Sequence, residues 1–570
     1  MDSVLIMVVA FAGYLIAYRT YGRHLAFRVF GLDPARVTPA HEERDGVDFV
    51  PTHKQVIFGH HFTSIAGTGP IVGPAIGIIW GWVPALLWVF LGAIFMGAVH
   101  DLGSLIVSLR NRGRSLAEVT GIVMNPHLRI AFFIVVFLAL LIVIAIFGMI
   151  IAVLFSMYPQ AVLPVWMEIP IAMALGWFLY HRGAGLFKAG LAAVVAMYIT
   201  VVLGHYLPFA MPSVAGIPPT GIWTVLLLLY AFVASTLPVT TLLQPRDFIN
   251  AWQLFIAMGL MVLGVLFARP TMVAPAINMS PAGAPPIFPF LFITIACGAI
   301  SGFHALVSGG TSSKQVNAEP DALMVGYGSM LTESFLAVLV LLACGAGLGI
   351  AYTAQDGSLL TGSAAFDSHY ATWGAADGLG PKVAAFVDGS ANMIAALGIP
   401  RQLGVIVMGV FIASFAGTTL DTATRIQRYV IAELAADFSV KPLVNRYAAT
   451  AVAVVTAAAL AFYNGASGSG ALTLWPLFGA INQLLAGLAL IVVSFYLREL
   501  GRNYLYTLIP ALLVLVFTSW SLVITLGRMY AAGNIPSLII GVIALGIEAW
   551  LVVEGIVMLV RSPAVGVRHS

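Results

Sequence analysis

Apolar residues in this chain come in long unbroken runs rather than in alternation. Polar breaks separate about fifteen of them. They fall at 3–18, 61–81, 83–108, 128–157, 161–180, 187–206, 220–244 and 248–268, then at 287–309, 323–351, 402–424, 447–463, 471–497, 503–526 and 536–560. A run of about 20 residues, at 1.5 Å per residue, crosses a hydrocarbon core of about 30 Å. Most of these runs are apolar all round, where a helix on a soluble surface keeps one polar face. The pattern predicts an all-α polytopic membrane protein: one transmembrane domain over 1–570 with about fifteen transmembrane helices, the C-terminal ones in 445–570. Two stretches fall outside the runs. Residues 19–58 are basic and polar. Residues 352–400 are Gly/Ala/Asp-rich, and Pro381 to Leu397 is expected to form a short amphipathic helix over the mouth of a cavity, as a gate or as a passive connection.

Composition agrees with the pattern. The 570 residues are 60% hydrophobic and 9% charged, against about 25% charged in soluble domains. A net charge of +3 is too small to suggest a nucleic-acid partner. The expected partners are the lipid bilayer and a small-molecule substrate, with the oligomeric state left open. The first run, Val4 to Ala17, follows only Asp2 and Ser3 and is itself followed by Arg19, Arg23 and Arg28. A cleaved signal has the reverse layout, so this segment reads as a retained helix. Cys297 and Cys344, the two cysteines, lie in apolar runs and read as small core residues.

Charge then orients the helices. Of the 26 Lys and Arg residues, all but Arg269, Lys382, Arg401 and Arg528 fall on one alternate set of connections, which closes with Arg561 and Arg568. Basic connections favour the cytoplasm. The expectation is a bacterial inner-membrane protein with a periplasmic N-terminus, a cytoplasmic C-terminus and an odd number of helices. Residues 19–58 are then cytoplasmic and 352–400 periplasmic.

Two segments break the apolar pattern. One runs from Gly59 to Pro70 and on to Gly73-Pro74; the other runs from Gly302 to Lys314. Both carry His-x5-Gly-Thr, from His61 to Gly67-Thr68 and from His304 to Gly310-Thr311. The charge partition makes them run in opposite directions, as the discontinuous helices of inverted-repeat transporters do. The alternative is that the glycines permit close helix packing. A third segment, Phe415 to Arg425, groups Thr418, Thr419, Thr422 and Thr424 around Asp421. Such hydroxyls suit a sodium ion, since hard cations prefer oxygen. Alternatively the threonines bond back to their own helix and Asp421 pairs with Arg425 at i+4.

Ionisable residues inside apolar runs are functional candidates because they are costly there. His100-Asp101 and Glu333 are such residues, and His60, His61, His304 and Lys314 border the breaks. A shielded carboxyl holds a proton near neutral pH, so His100, Asp101 and Glu333, with Thr418, Thr419 and Asp421, are the coupling-ion candidates. The substrate-binding candidates are His61, Thr63, Ser64, Gly67, Thr68, His304, Thr311 and Lys314. Helix N-termini, histidines and a lysine suit a carboxylate, although Lys314 also reads as an ordinary cytoplasmic-end lysine. The same residues allow a second reading, in which His60, His61, His100, Asp101 and His304 form a transition-metal site of a metal carrier or membrane metalloprotein. The chain has no His-Glu-x-x-His, Gly-x-Ser-x-Gly or Walker-type motif. An enzyme is therefore not expected, nor a cofactor beyond a coupling proton or sodium ion.

Five of these stretches also carry a family resemblance: Val56 to Gly67, Gly97 to Asp101, Gly302 to Thr311, Thr418 to Arg425 and Leu474 to Gly479. Together they resemble the carbon starvation A (CstA) family of bacterial transporters, over nearly the whole chain. The resemblance implies uptake of peptides or pyruvate under nutrient limitation, with proton coupling in pyruvate-taking members. It also implies the amino acid–polyamine–organocation superfamily, and so a leucine-transporter-like inverted-repeat core with discontinuous helices plus extra helices. In that mapping 61–81 and 287–315 are the broken core helices, and Thr418-Thr419 resembles the hydroxyls of a second sodium site. Six runs lie between the two segments where the simple core has four. Either two helices are inserted, or the second broken helix is the 220–246 segment, broken over Ser235 to Asp247, and Gly310 to Ser313 becomes the sodium-site-like motif. The resulting expectation is a symporter that imports pyruvate or short peptides by alternating access.

Overall fold

The computed structural model describes residues 2–183, 185–354 and 356–561. The membrane-crossing helices are α1 (Ser3–Val29), α2 (Lys54–Ala66) with α3 (Gly69–Trp80), α4 (Trp82–Arg110), α5 (Pro126–Met157), α6 (Pro159–Arg182) and α7 (Leu186–Tyr206). They continue with α8 (Pro219–Thr236), α9 (Leu243–Ala268) and α12 (Glu319–Ile350), with two eight-residue helices, α10 (Ile287–Thr294) and α11 (Phe303–Gly310), between α9 and α12. After α13 (Leu379–Ala395) come α14 (Arg401–Asp437), α15 (Arg446–Phe462), α16 (Ser469–Glu499), α17 (Leu505–Ala531) and α18 (Ile535–Arg561). Among the described residues, twelve helices are long and apolar enough to span a membrane, and α2 with α3, bent by 43°, makes a thirteenth. The expected count of about fifteen spans is not reached this way. Run 287–309 is interrupted between α10 and α11, and α15 is a shorter apolar helix of 17 residues.

Local chemistry sets the helix ends. The Asp2 side chain accepts from the Val4 amide and caps α1, and Asn125 caps α5 ahead of Pro126, both satisfying amides with no partner in the first turn. α1 does not stop at residue 18. It continues through π-helical turns to Val29, so Arg19, Arg23 and Arg28 ride on its last turns and the polar segment expected over 19–58 narrows to 30–53. Ser235 to Asp247 spans the end of α8, a short connection and the start of α9, each helix long enough to span alone, and so is not an interruption within one span.

The connections gather at two ends as the charge partition groups them. At one end Asp2 bridges Thr271, Asn278 bonds the Trp80 carbonyl, and Trp373 bonds the Ala282 carbonyl. At the other, Val50 and Thr52 bond the carbonyls of Lys314 and Gln315, and Arg425 donates to Asp48 at 2.9 Å. Arg568 lies outside the described residues. Residues 352–400 form a short hairpin (Tyr352–Thr353 with Leu359–Leu360) and the expected helix, α13. α13 is set into the molecule: Val383, Phe386 and Met393 are fully buried, and it packs on α14, α9, α3 and the end of α12. The 37 residues of α14 reach about 55 Å, well beyond the hydrocarbon core, and pack along α5.

Candidate functional site

The first interrupted span breaks at Gly67-Thr68. Gly67 has φ +38°, and a Cβ there would sit 2.8 Å from Thr419 Oγ1, so the position needs glycine for both backbone and space. Pro70 follows, lacking the amide that would continue the helix. The second interruption lies upstream of where the sequence placed it. Phe303–Gly310 is a regular helix carrying His304, and the unwound stretch is Ile295 to Gly302, with a further break at Thr311. Backbone exposed at this depth must find partners inside the protein. Asn482 supplies them from α16: its Oδ1 accepts from the Phe303 amide at 2.9 Å and its carbonyl accepts from the Gly302 amide at 3.0 Å. Trp88 Nε1 donates to the Ile295 carbonyl at 3.0 Å, and Gln483 donates to the Phe292 carbonyl at 2.7 Å.

The two breaks face each other in opposite directions. The chain entering α2 is bonded to the chain leaving α11, and His61 Nδ1 lies 2.8 Å from Ser312 Oγ. At the other end α3 meets α10, where a Cβ on Gly73 would lie 2.5 Å from the Thr294 carbonyl oxygen. The shared His-x5-Gly-Thr pattern thus has one local form: a helix carrying the histidine, ending at Gly-Thr.

A cavity of about 350 Å³ reaches the first break from the α13 end. Thr68, Gly69, Thr294, Cys297, Trp475 and Phe478 line its depth, and Lys382 and Arg528 bring positive charge to its wall. Thr68 Oγ1 is buried with no partner. Lys382 is paired with Asp377 at 2.6 Å. Sequence reasoning used Lys382 and Arg528 only to orient the helices. They lie far along the chain from the motifs, and no local pattern marks them. Cys297, expected in the core, is half-buried and lines this cavity.

Beside the second break lies a fully buried chain of ionisable groups. His100 Nδ1 donates to Asp101 Oδ1 at 2.7 Å and His304 Nδ1 donates to Asp101 Oδ2 at 2.9 Å. The other His304 nitrogen is 3.3 Å from Glu333 Oε2. His304, expected at the substrate, is therefore joined to the coupling candidates. The Glu333 approach is a close contact without hydrogen-bond geometry, so His304 Nε2 and both Glu333 oxygens are buried without a hydrogen-bond partner.

α14 crosses the first break. Thr418 Oγ1 donates to the Thr63 carbonyl at 3.2 Å, Thr419 Oγ1 to the Ser64 carbonyl at 3.4 Å, and Ser64 Oγ lies 3.2 Å from Thr422 Oγ1. The two hydroxyls and two carbonyls are oxygens of the kind a hard cation takes. Thr63 and Thr311 also bond back to their own helices. Asp421 does not pair with Arg425. It accepts from Arg246 and from Tyr230, while Arg425 reaches Asp48 and the Leu237 carbonyl. The i+4 spacing was outcompeted by the Arg246 guanidinium of α9, which is buried beside Asp421. Lys314, named for the substrate, instead lies 4.1 Å over the Tyr429 ring and 5.4 Å over Phe49, at the end opposite the cavity. The five residues of the metal reading do not form one group: His60 bonds Asp247 and His61 approaches Ser312, while His100 and His304 both bond Asp101. Among the described residues no group of three or more His, Cys, Asp or Glu is placed to hold a metal.

A dozen apolar helices around a buried polar seam, with two interrupted spans meeting at a cavity, define a multi-pass membrane carrier. The chain belongs to the family described as carbon starvation protein CstA, whose profile matches residues 2–521. It is 35% identical to the peptide transporter CstA of Campylobacter jejuni, over 91% of this chain and 79% of that one. It is 32% identical to the pyruvate/proton symporter BtsT of Escherichia coli, over 91% of this chain and 81% of that one. These relatives are transporters, and this chain is a transporter, not an enzyme. Among solved structures, a mutant manganese transporter of Eremococcus coleocola aligns over 90% of this chain and 98% of that one, at 12% identity and a TM-score of 0.35.

Proposed function

We propose that the chain is a proton-driven symporter of the bacterial inner membrane that imports a small carboxylate, pyruvate or a short peptide, by alternating access. The observation that carries this reading is the cavity ending at the broken helix beside the His304 cluster. The cavity offers a carboxylate the start of α3, the Thr68 hydroxyl and the Arg528 guanidinium, Lys382 being already paired with Asp377. The cluster offers a site for a proton between the second interrupted helix, through His304, and the neighbouring helices α4 and α12. The antiparallel meeting of the two breaks supports a leucine-transporter-like inverted-repeat core, with two extra helices among the six between α3 and α10. The basic end faces the cytoplasm, so the cavity opens to the periplasm. The relatives named for peptide and for pyruvate transport support both substrates, each of which presents a carboxylate.

Sodium coupling is a second reading, favoured by the four oxygens of Thr63, Ser64, Thr418 and Thr419. Counterflow exchange in proteoliposomes tests the substrate without any gradient. Labelled pyruvate or labelled dipeptide must exchange against unlabelled solute, and failure of both removes this reading.

A further inference from the structure

A second buried cluster has no part in the cavity or in the His304 chain. Arg246, near the start of α9, is surrounded by three carboxylates from three helices: Glu168 on α6, its own neighbour Asp247, and Asp421 on α14. His60 on α2 donates through Nδ1 to Asp247 at 2.5 Å, and Tyr230 on α8 donates to Asp421 at 2.8 Å. All five ionisable groups facing this spot besides the tyrosine are within a few per cent of full burial. The cluster is under-bonded: Arg246 Nε and Nη2, Asp247 Oδ1 and Asp421 Oδ1 have no hydrogen-bond partner. Glu168, Arg246, Tyr230 and Ser414 also line a small cavity of about 30 Å³ with Trp166 and Gly417, room enough for about one water.

Charge counting shows what the cluster must hold. Even with His60 protonated, two positive charges face three carboxylates, and an uncompensated charge buried at this depth is strongly unfavourable. Geometry then separates the three. Asp421 takes a direct bond from Arg246 and another from Tyr230, and Asp247 takes one from His60 and lies 3.6 Å from Arg246 Nη2. Glu168 has only uncharged neighbours within bonding reach, the Ser414 hydroxyl at 2.8 Å and the Asn250 side chain, with Arg246 Nε no nearer than 3.8 Å.

We propose that Glu168 carries an exchangeable proton and that this Arg246-centred cluster is a second proton-binding site of the transporter, distinct from the His304 chain. The proton sits on the Glu168 carboxyl and leaves to water in the small cavity, giving a carboxylate and hydronium. The consequence for transport rests on the symport reading. His60 belongs to the inner half of the first interrupted span, and Ser414 and Asp421 belong to the helix whose threonines hold that span at Thr63 and Ser64. Losing the proton leaves excess negative charge between the two and changes which arrangement is favoured.

Infrared spectroscopy of the purified full-length protein reads the proton directly. Wild type at neutral pH shows a carboxylic-acid C=O stretching band that shifts in D₂O and disappears as pH is raised. Glu168→Gln removes that component, whereas Glu333→Gln leaves it. Ser414→Ala, which keeps the carboxyl but removes its hydrogen bond, shifts the band and covers the case in which Glu168→Gln does not fold. In counterflow exchange, which needs no gradient, Glu168→Gln flattens the dependence of rate on pH. A band unchanged in Glu168→Gln and in Ser414→Ala overturns the proposal, as does an unaltered pH profile. Wild type that shows the titrating band yet transports nothing defeats the symport reading and leaves the proton site standing.

Discussion

His304 donates through Nδ1 to Oδ2 of Asp101 at 2.9 Å, and both side chains are fully buried. Glu333 closes the other side of the ring at 3.3 Å. Protonated, the arrangement is an imidazolium between two carboxylates, or a neutral ring facing a carboxylic acid; deprotonated, it sets a carboxylate against a bare ring nitrogen. Glu333→Gln keeps the shape and a donor to that nitrogen while removing the titration. It abolishes uphill, proton-driven uptake and spares counterflow exchange of the same substrate. Asp101→Asn behaves likewise, with a further loss of stability of about 3 kcal/mol from stranding two histidines. Comparing concentrative uptake with exchange for each variant checks this.

Gly67→Ala introduces a Cβ where φ is +38° and Thr419 Oγ1 is 2.8 Å away. Backbone strain of this kind costs about 1–3 kcal/mol. The break must then shift away from α14, so the variant inserts and purifies but loses exchange activity. Gly259→Ala on α9, where nothing lies within 4 Å of the added atom, retains it.

Asn482 holds the unwound Ile295–Gly302 stretch by its side chain and its carbonyl. Asn482→Ala strands the Phe303 amide and the Ser301 hydroxyl, each costing about 1–3 kcal/mol when buried. Thermal unfolding in detergent is expected to show a clear loss of stability, larger than that for Asn503→Ala at an exposed loop position.

Asp48 lies in the basic connecting segment, where it meets Arg425, Arg428 and Lys314. Burial pushes its carboxyl up, but Arg425, Lys314, the Tyr429 hydroxyl and Arg428 pull it further down, leaving it below its ordinary value. A depressed carboxyl contributes stability that is present above its unfolded value and lost as pH falls through the folded one. Asp48→Asn is therefore less stable than wild type at neutral pH. The gap stays constant from about pH 5 to pH 8 and closes as pH falls through the depressed folded value. Unfolding midpoints across that range measure it.

The helices were legible because membrane burial writes one-dimensional signals: apolar length, and basic residues held to one side. The break at Gly67-Thr68 was legible for a related reason, since glycine and proline at membrane depth are a local conflict visible in the letters. The second break was read several residues late. Its unwound stretch, Ile-Ala-Cys-Gly-Ala-Ile-Ser-Gly, is apolar enough to pass for helix, and its partners Asn482, Gln483 and Trp88 come from distant helices. Side-chain pairing was the least legible. Asp421 has Arg425 one turn away, but that turn points Arg425 to Asp48, and nothing local marks Arg246 or Glu168 as its neighbours. The π-helical continuation of α1 was hidden because a basic cluster ordinarily closes a span.

Gradient-driven uptake into proteoliposomes is the most direct measurement. Purified protein is reconstituted, and labelled pyruvate and labelled dipeptide are offered under an imposed proton gradient or an imposed sodium gradient. Proton symport predicts concentrative uptake of at least one of them under the proton gradient, abolished by a protonophore and indifferent to sodium. Concentrative uptake that follows the sodium gradient and survives the protonophore contradicts it.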